Sequence, residues 1–150
     1  MIESELTGIK TKMERQINDC IISDDKSLLQ IERICALLAN SYWANERKRE
    51  AIERSIEHSL CFGVYCAGEQ IGFARCVTDF ATIYWLADVI IDERFRGQGL
   101  GKELVAAIHS HDRIKHLSGI LATRDAHALY ARHGFVVVDE KRYMRRPAAE

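Results

Sequence analysis

The stretch that most constrains this 150-residue chain is a nearly unbroken apolar run over residues 83–91 (Ile83, Tyr84, Trp85, Leu86, Ala87, Val89, Ile90, Ile91), which leads within a few residues into Arg96-Gly97-Gln98-Gly99-Leu100-Gly101-Lys102. Such a run reads as a central strand covered on both faces. Asp88 is its one charge. Beyond the glycines, Leu100, Leu104, Ala107 and Ile108 share one helical face, which predicts a helix over residues 100–109. Residues 117–123 then read as another strand. Two strands joined through a helix lie parallel, with a right-handed connection.

The remaining segments build outward from that unit. Residues 17–22 read as a short strand, and Ser27 as the N-cap of a helix carrying Leu28, Ile31, Cys35 and Leu38. A second helix is expected over residues 45–58 with Ile52 and Ile56 inward, and Tyr42 and Trp43 in the joint between the two. Leu60, Phe62, Val64 and Cys66 alternate, Gly68-Glu69 offers a first-position glycine for a tight hairpin, and Ile71, Phe73 and Val77 alternate on the return. Residues 126–133 predict a short helix closed by Gly134, and residues 135–138 and 141–145 two final strands. The expected fold class is α/β: a mixed, mostly antiparallel sheet with one central parallel pair, flanked by helices. A single proline (Pro147) and the lack of any linker or repeat predict one domain over residues 1–150, with residues 1–13 as a loose arm.

Composition narrows the partners. Twenty-one basic residues balance 22 acidic ones, so nucleic acid is not an expected partner. No apolar stretch is long enough to span a membrane, and the start lacks a signal-peptide core, so a cytoplasmic protein with no membrane partner is expected. The five cysteines are scattered without a Cys-x-x-Cys pair, which predicts small buried hydrophobes instead of a disulfide framework or a zinc site. His109-x-His111 with Asp112 has no third spaced ligand, so no metal is expected.

The glycine-rich turn carries the chemistry. Glycines let backbone approach a ligand closely, while the first N–H groups of the following helix have no intrahelical partner and carry the positive end of its dipole. A pyrophosphate suits that position. A P-loop would need glycine where Arg96 stands and Ser or Thr where Glu103 stands, and a dinucleotide fingerprint would need glycine at Lys102. Neither fits. Arg96, Gly99 and Gly101, read as Arg-x-x-Gly-x-Gly between strand and helix, resemble the acetyl-CoA loop of the GNAT superfamily of N-acetyltransferases. A second block, Ala126-His127-Ala128-Leu129-Tyr130-Ala131-Arg132-His133-Gly134-Phe135, resembles the family's Ala-x-x-Leu-Tyr-x-x-x-Gly-Phe motif, and the element order is similar over residues 17–143.

The resemblance implies acetyl-CoA as co-substrate. Its pantetheine would pair with the backbone of Val89, Ile90 and Ile91. Its pyrophosphate would lie on the N–H groups of Gln98, Gly99, Leu100, Gly101 and Lys102, with Arg96 and Gly97 at the loop entrance. Thr123, seven residues before Tyr130, stands where the family often has a CoA-contacting Asn. Tyr130 is the implied proton donor to the departing thiolate, a role suited to a phenol of pKa near ~10. Asp88 reads equally as the base that deprotonates the amine and as a structural acceptor for backbone or Arg75; Asp79 and Glu46 are weaker candidates. Tyr42, Trp43 and Tyr84 are candidates for the acceptor pocket, although aromatics at such positions also serve as core. The expected reaction is direct acetyl transfer to a primary amine of a small molecule. A non-catalytic CoA-binding module and a protein N-acetyltransferase are the alternatives. Family members are often dimers, which extends the expectation to a homodimer.

Overall fold

The computed structural model describes residues 12–149, so the expected arm lies outside the described residues except for Lys12 and Met13. In chain order the elements are β1 (Glu14–Ile17), β2 (Cys20–Ser23), α1 (Ile31–Ala39), α2 (Arg49–Glu57), β3 (Leu60–Cys66), β4 (Glu69–Thr78), β5 (Ile83–Ile91), α3 (Leu100–His109), β6 (Ser118–Leu121) and α4 (His127–Ala131), with single 3-10 turns at Lys26–Leu28, Glu93–Phe95 and Glu140–Arg142. The six strands form one sheet in sequence order. Every neighbouring pair is antiparallel except β5 and β6, which the α3 crossover makes parallel. A mixed, mostly antiparallel sheet with one parallel pair is thus observed as expected, but the pair lies at the end of the sheet and not at its centre, because among the described residues no strand follows β6 to extend it.

Helices cover both faces. On one, α3 sets Leu104 and Ile108 against Ile22, Phe62 and Val64. On the other, Ile34 and Leu38 of α1 and Ile52 of α2 pack with Phe73 and Ile90. Phe62 and Phe73 are fully buried, and burying a side chain of that size contributes about 1.5–3 kcal/mol.

Several local expectations are corrected. Residues 17–22 are not one strand but the bend of a hairpin, β1–β2, turning where Asn18 takes a positive φ of 53°; asparagine tolerates that region better than most residues. In the β3–β4 hairpin both Ala67 and Gly68 have positive φ (51° and 80°), the signature of a type I′ loop. Gly68 is thus its second central residue. Ser27 does not cap α1. Asp25 accepts from the Ser27 N–H to cap the 3-10 turn, the chain extends at Leu29, and α1 starts at Ile31 behind Gln30, whose N–H donates to Gln70 Oε1. α2 begins at Arg49, since residues 42–46 form turns. Ile71 and Phe73 do not share a face: a register shift in the β3–β4 ladder puts Ile71 with the α3-side core and Phe73 with the α1-side core.

Two corrections are larger. The strands expected at residues 135–138 and 141–145 are not formed: Val136 and Val137 are 79% and 80% exposed, and Asp139 caps a 3-10 turn instead. A β-prone segment is a strand only where a neighbour accepts its hydrogen bonds. Cys20 and Cys66, each predicted to be a simple buried hydrophobe, are joined in a disulfide across β2 and β3, with Cα atoms 4.4 Å apart. Sheet register makes them neighbours, and sequence spacing carries no trace of that. Cys61 and Cys76 are free and buried, their thiols pushed up to about 11 and about 12 by burial.

Candidate active site

The site originates in the shape of β5. Opposite β4, Ala87 pairs with Arg75 and Ile90 with Phe73, so Asp88 and Val89 together face the single residue Ala74. This is a β-bulge, and Asp88 sits in it with a φ of +57°, a conformation costly for a residue with a Cβ. Bulges bend and re-aim a strand. On the other edge, the parallel pairing with β6 ends at Leu86 and Leu121, while β5 continues to Ile91. The two strands part there, leaving the β5 backbone beyond Leu86 without a partner in β6.

A cavity of about 860 Å³ fills the opening. Leu86, Ala87 and Val89 form its floor, the segment around Thr123 one wall, and Tyr42, Trp43 and Arg47 from the α1–α2 connection the other. Trp85 also faces it, 43% exposed. β5 is therefore not covered on both faces as its composition suggested; Ile83 and Trp85 lie open near its start.

Asp88 is held by three donors. Trp43 Nε1 donates to Oδ1 at 2.9 Å, and Arg47 Nη1 (2.7 Å) and Arg75 Nε (2.9 Å) both donate to Oδ2. The side chain is 2% exposed. Burial alone works to raise its pKa, but the two guanidinium groups outweigh it and hold the carboxyl below its ordinary value. Asp88 thus has the Arg75 partner named in the second of the two readings open from sequence, together with Arg47 and Trp43.

Tyr130 is buried and reaches the cavity from α4. Burial, then the neighbouring Tyr42 and Asp125, raise its pKa, so it stays protonated at neutral pH. Thr123 lies on the cavity wall, and its Oγ1 accepts from the Ala126 N–H (3.0 Å). That bond reaches the N-cap residue itself, and the N-cap of α4, Ala126, makes no side-chain cap hydrogen bond. Tyr42 and Trp43 line the cavity, 52% and 40% exposed. Tyr84 is not brought there: it is buried with its Oη 2.7 Å from His109 Nδ1. Asp79 ties up its own loop, accepting from the Ala81 and Thr82 N–H groups, and Glu46 does not line the cavity.

The glycine-rich turn lies just past the splayed strand. Gly97 and Gly99 have φ of 82° and 80° with open space where a Cβ would stand, and Gly99 is the N-cap of α3. A Cβ at Gly101 would stand 3.9 Å from Ile91 Cγ1, Leu100 is buried, and Gln98 and Lys102 are exposed. Arg96 turns back: its Nε donates to the Ile91 carbonyl at 3.1 Å, fixing the turn against the strand end. An unpaired strand edge, then a glycine cradle on a ten-residue helix, suits an extended amide chain that ends in a pyrophosphate.

The sequence model described as an acetyltransferase (GNAT) domain matches residues 57–137, the span from the end of α2 to the tail. The chain belongs to the GNAT acetyltransferases. A GNAT-family crystal structure from Xanthomonas campestris pv. campestris is similar at 38% identity and a TM-score of 0.83, covering 89% of this chain and 96% of that one. A provisionally named acetyltransferase of Gibberella zeae is 28% identical over 111 residues, 61% of this chain and 63% of its own length; the match thus spans under two thirds of that relative. A GNAT acetyltransferase from Elizabethkingia anophelis, solved with acetyl-CoA bound, shares the fold at 17% identity, with a TM-score of 0.62 and coverage of 89% and 90%. Among the described residues no group of three or more His, Cys, Asp or Glu is placed to hold a metal ion, and no helix is long and apolar enough to cross a membrane.

Arg47, Trp85, Arg124 and Asp125 line the cavity without having been expected there. Trp85 could have been found by doubting that β5 is covered throughout. The others come from connections whose path the sequence does not encode.

Proposed function

We propose that the protein is an acetyl-CoA-dependent N-acetyltransferase that acts on a primary amine of a small molecule by direct attack. The parting of β5 from β6 beyond Leu86, directly before a glycine-capped helix, carries the reading. Bound acetyl-CoA would supply the activated acyl group. The backbone from Ala87 to Ile91 would receive its amide chain, and the N–H groups of residues 98–102 its pyrophosphate. An N–H near Val89 would polarise the thioester carbonyl. Tyr130 would hold a proton at Oη for the departing sulfur. Asp88, already accepting three hydrogen bonds, would fix the bulge that aims these groups. Two positions are thereby coupled: the wall residues Trp43 and Arg47 would shape the acceptor side of the cavity while locking the strand that binds the donor.

Calorimetric titration of acetyl-CoA into wild type and Gly99→Glu, followed by thiol release with a panel of amines, tests this. A carboxylate at Gly99 should abolish binding, while Gly99→Ala should lose far less, since it adds only the strain of a Cβ at positive φ. Failure of wild type to bind acetyl-CoA would refute the assignment. The commitment of Asp88 to three donors favours one second reading, a CoA-binding module without turnover; binding with no thiol release from any amine would select it.

A further inference from the structure

The acceptor half of the cavity has a pronounced chemical character. Its charged lining comprises Arg47, Arg75 and Arg124 against Asp88 and Asp125, an excess of one positive charge at neutral pH. Asp88 is consumed: it lies between Arg47 and Arg75, and one carboxylate cannot neutralise two guanidinium groups. Arg47 uses only Nη1 on Asp88, so further donors of its fork remain. Arg124, on the opposite wall, is oriented by stacking, its guanidinium carbon 3.8 Å from the centroid of the Tyr42 ring. A stacked guanidinium keeps its in-plane N–H donors directed outward, the geometry that recognises a carboxylate or phosphate in two-point fashion.

The same walls are aromatic. Tyr42, Trp43 and Trp85 remain 40–52% exposed, and all three face the cavity. Tyr42 and Trp43 pack edge to face with centroids 5.0 Å apart. Large aromatic surface left open within a concave site marks where a flat apolar ligand body is buried.

We infer that the acceptor is an amine with a flat apolar body and an anionic oxyacid group, the body lying against Trp43 and Trp85 and the anion meeting Arg124 and Arg47. This rests on the acetyl-transfer reading for the amine, but the anion site can be tested without turnover. The chain has two tryptophans, and both line this cavity, so intrinsic fluorescence reports on it alone.

The experiment titrates the protein with phenylacetate, phenyl phosphate and neutral phenylacetamide, following tryptophan emission. In parallel, acetyl-CoA-dependent thiol release is measured with phenylalanine, phenylalanine amide and phenethylamine. One charge-assisted hydrogen bond is worth about ten-fold or more in affinity. Phenylacetate or phenyl phosphate should therefore bind at least about ten-fold more tightly than phenylacetamide, and added salt should weaken both anions. The better anion identifies the oxyacid. Arg124→Gln should remove the preference while acetyl-CoA still binds, which shows the variant folded; Arg124→Lys should restore it only in part. Phenylalanine should exceed phenethylamine in kcat/KM by a similar factor through KM. Equal binding of phenylacetamide and the anions, or a preference that survives Arg124→Gln, overturns the inference whatever the transfer assay gives. Anion-selective quenching without transfer to any amine upholds the anion site and refutes acetyl transfer.

Discussion

Replacing Asp88 separates a structural acceptor from a general base. In Asp88→Asn the side chain keeps its shape and tolerance of positive φ, but three donors, two of them charged, lose their anion, and with the amide oxygen kept on the two guanidiniums the new N–H group faces the Trp43 indole N–H. Arg75 has a side chain only 13% exposed, so water can replace little of what is lost. Removing one partner of a buried ion pair costs about 3–5 kcal/mol; the retained amide oxygen and the openness of the cavity on the Arg47 side place Asp88→Asn near the lower end. Asp88→Ala should cost about 1 kcal/mol more, from a Cβ at positive φ without a polar side chain to compensate. At this chain length about 3 kcal/mol corresponds to a Tm lower by about 6–12 °C. Urea unfolding measures the difference directly. Its pH dependence has a fixed sign: a carboxyl whose folded pKa lies below the unfolded value contributes stability above about 3.9 and loses it as pH falls through the folded pKa. The gap between wild type and Asp88→Asn should thus persist at neutral pH and shrink below pH 4. A variant of unchanged Cm whose kcat falls with an altered acidic limb of the pH profile would refute the structural role and reinstate Asp88 as the base.

Tyr130→Phe should keep acetyl-CoA binding within a few-fold but lower kcat by about 10²–10⁴-fold, the usual worth of a positioned proton donor; stopped-flow thiol release against calorimetric affinity checks the split. His109 is lowered to about 4 by burial, then by the charge of His133. The unfolded chain therefore binds the extra proton first, and stability should decline as pH drops from about 6.5 toward 4; His109→Gln should flatten that decline in thermal melts. Gly119→Ala would set a Cβ 2.6 Å from the Tyr84 ring and 3.0 Å from Phe135 and should destabilise by about 1–3 kcal/mol, with a cost under 0.5 kcal/mol by urea titration refuting that packing.

The sheet, the crossover and the glycine turn were legible because each is written locally: alternation in β3, an apolar run for β5, helical spacing in α3. β5 and α3 have the bounds that periodicity predicts. What escaped depends on pairing. The bulge at Asp88 leaves no mark in composition, yet it decides which face Asp88 and Val89 take, and simple alternation does not reproduce the result. Tyr84 and Trp85 are adjacent aromatics, and one residue of register sends the first to His109 and the second to the cavity. The valines after Phe135 have strand propensity but no partner. Arg124 meets Tyr42 across a gap that 82 positions of sequence separate.

The disulfide has a consequence for one wall of the cavity. Cys20 and Cys66 lie 46 positions apart, and the chain between them contains α1, α2 and the connection bearing Tyr42, Trp43 and Arg47. The bond makes that stretch a covalent ring. By chain statistics, closing a ring of this size removes about 4 kcal/mol worth of freedom from the unfolded polymer, and the ring includes the cavity wall of Tyr42, Trp43 and Arg47. Reduction would leave the glycine turn, α3 and β6 outside the released segment. A thiol reagent should accordingly loosen the wall of Tyr42, Trp43 and Arg47 before the glycine turn, making the cavity wall and the turn beside it unequal in their dependence on the redox state of their surroundings.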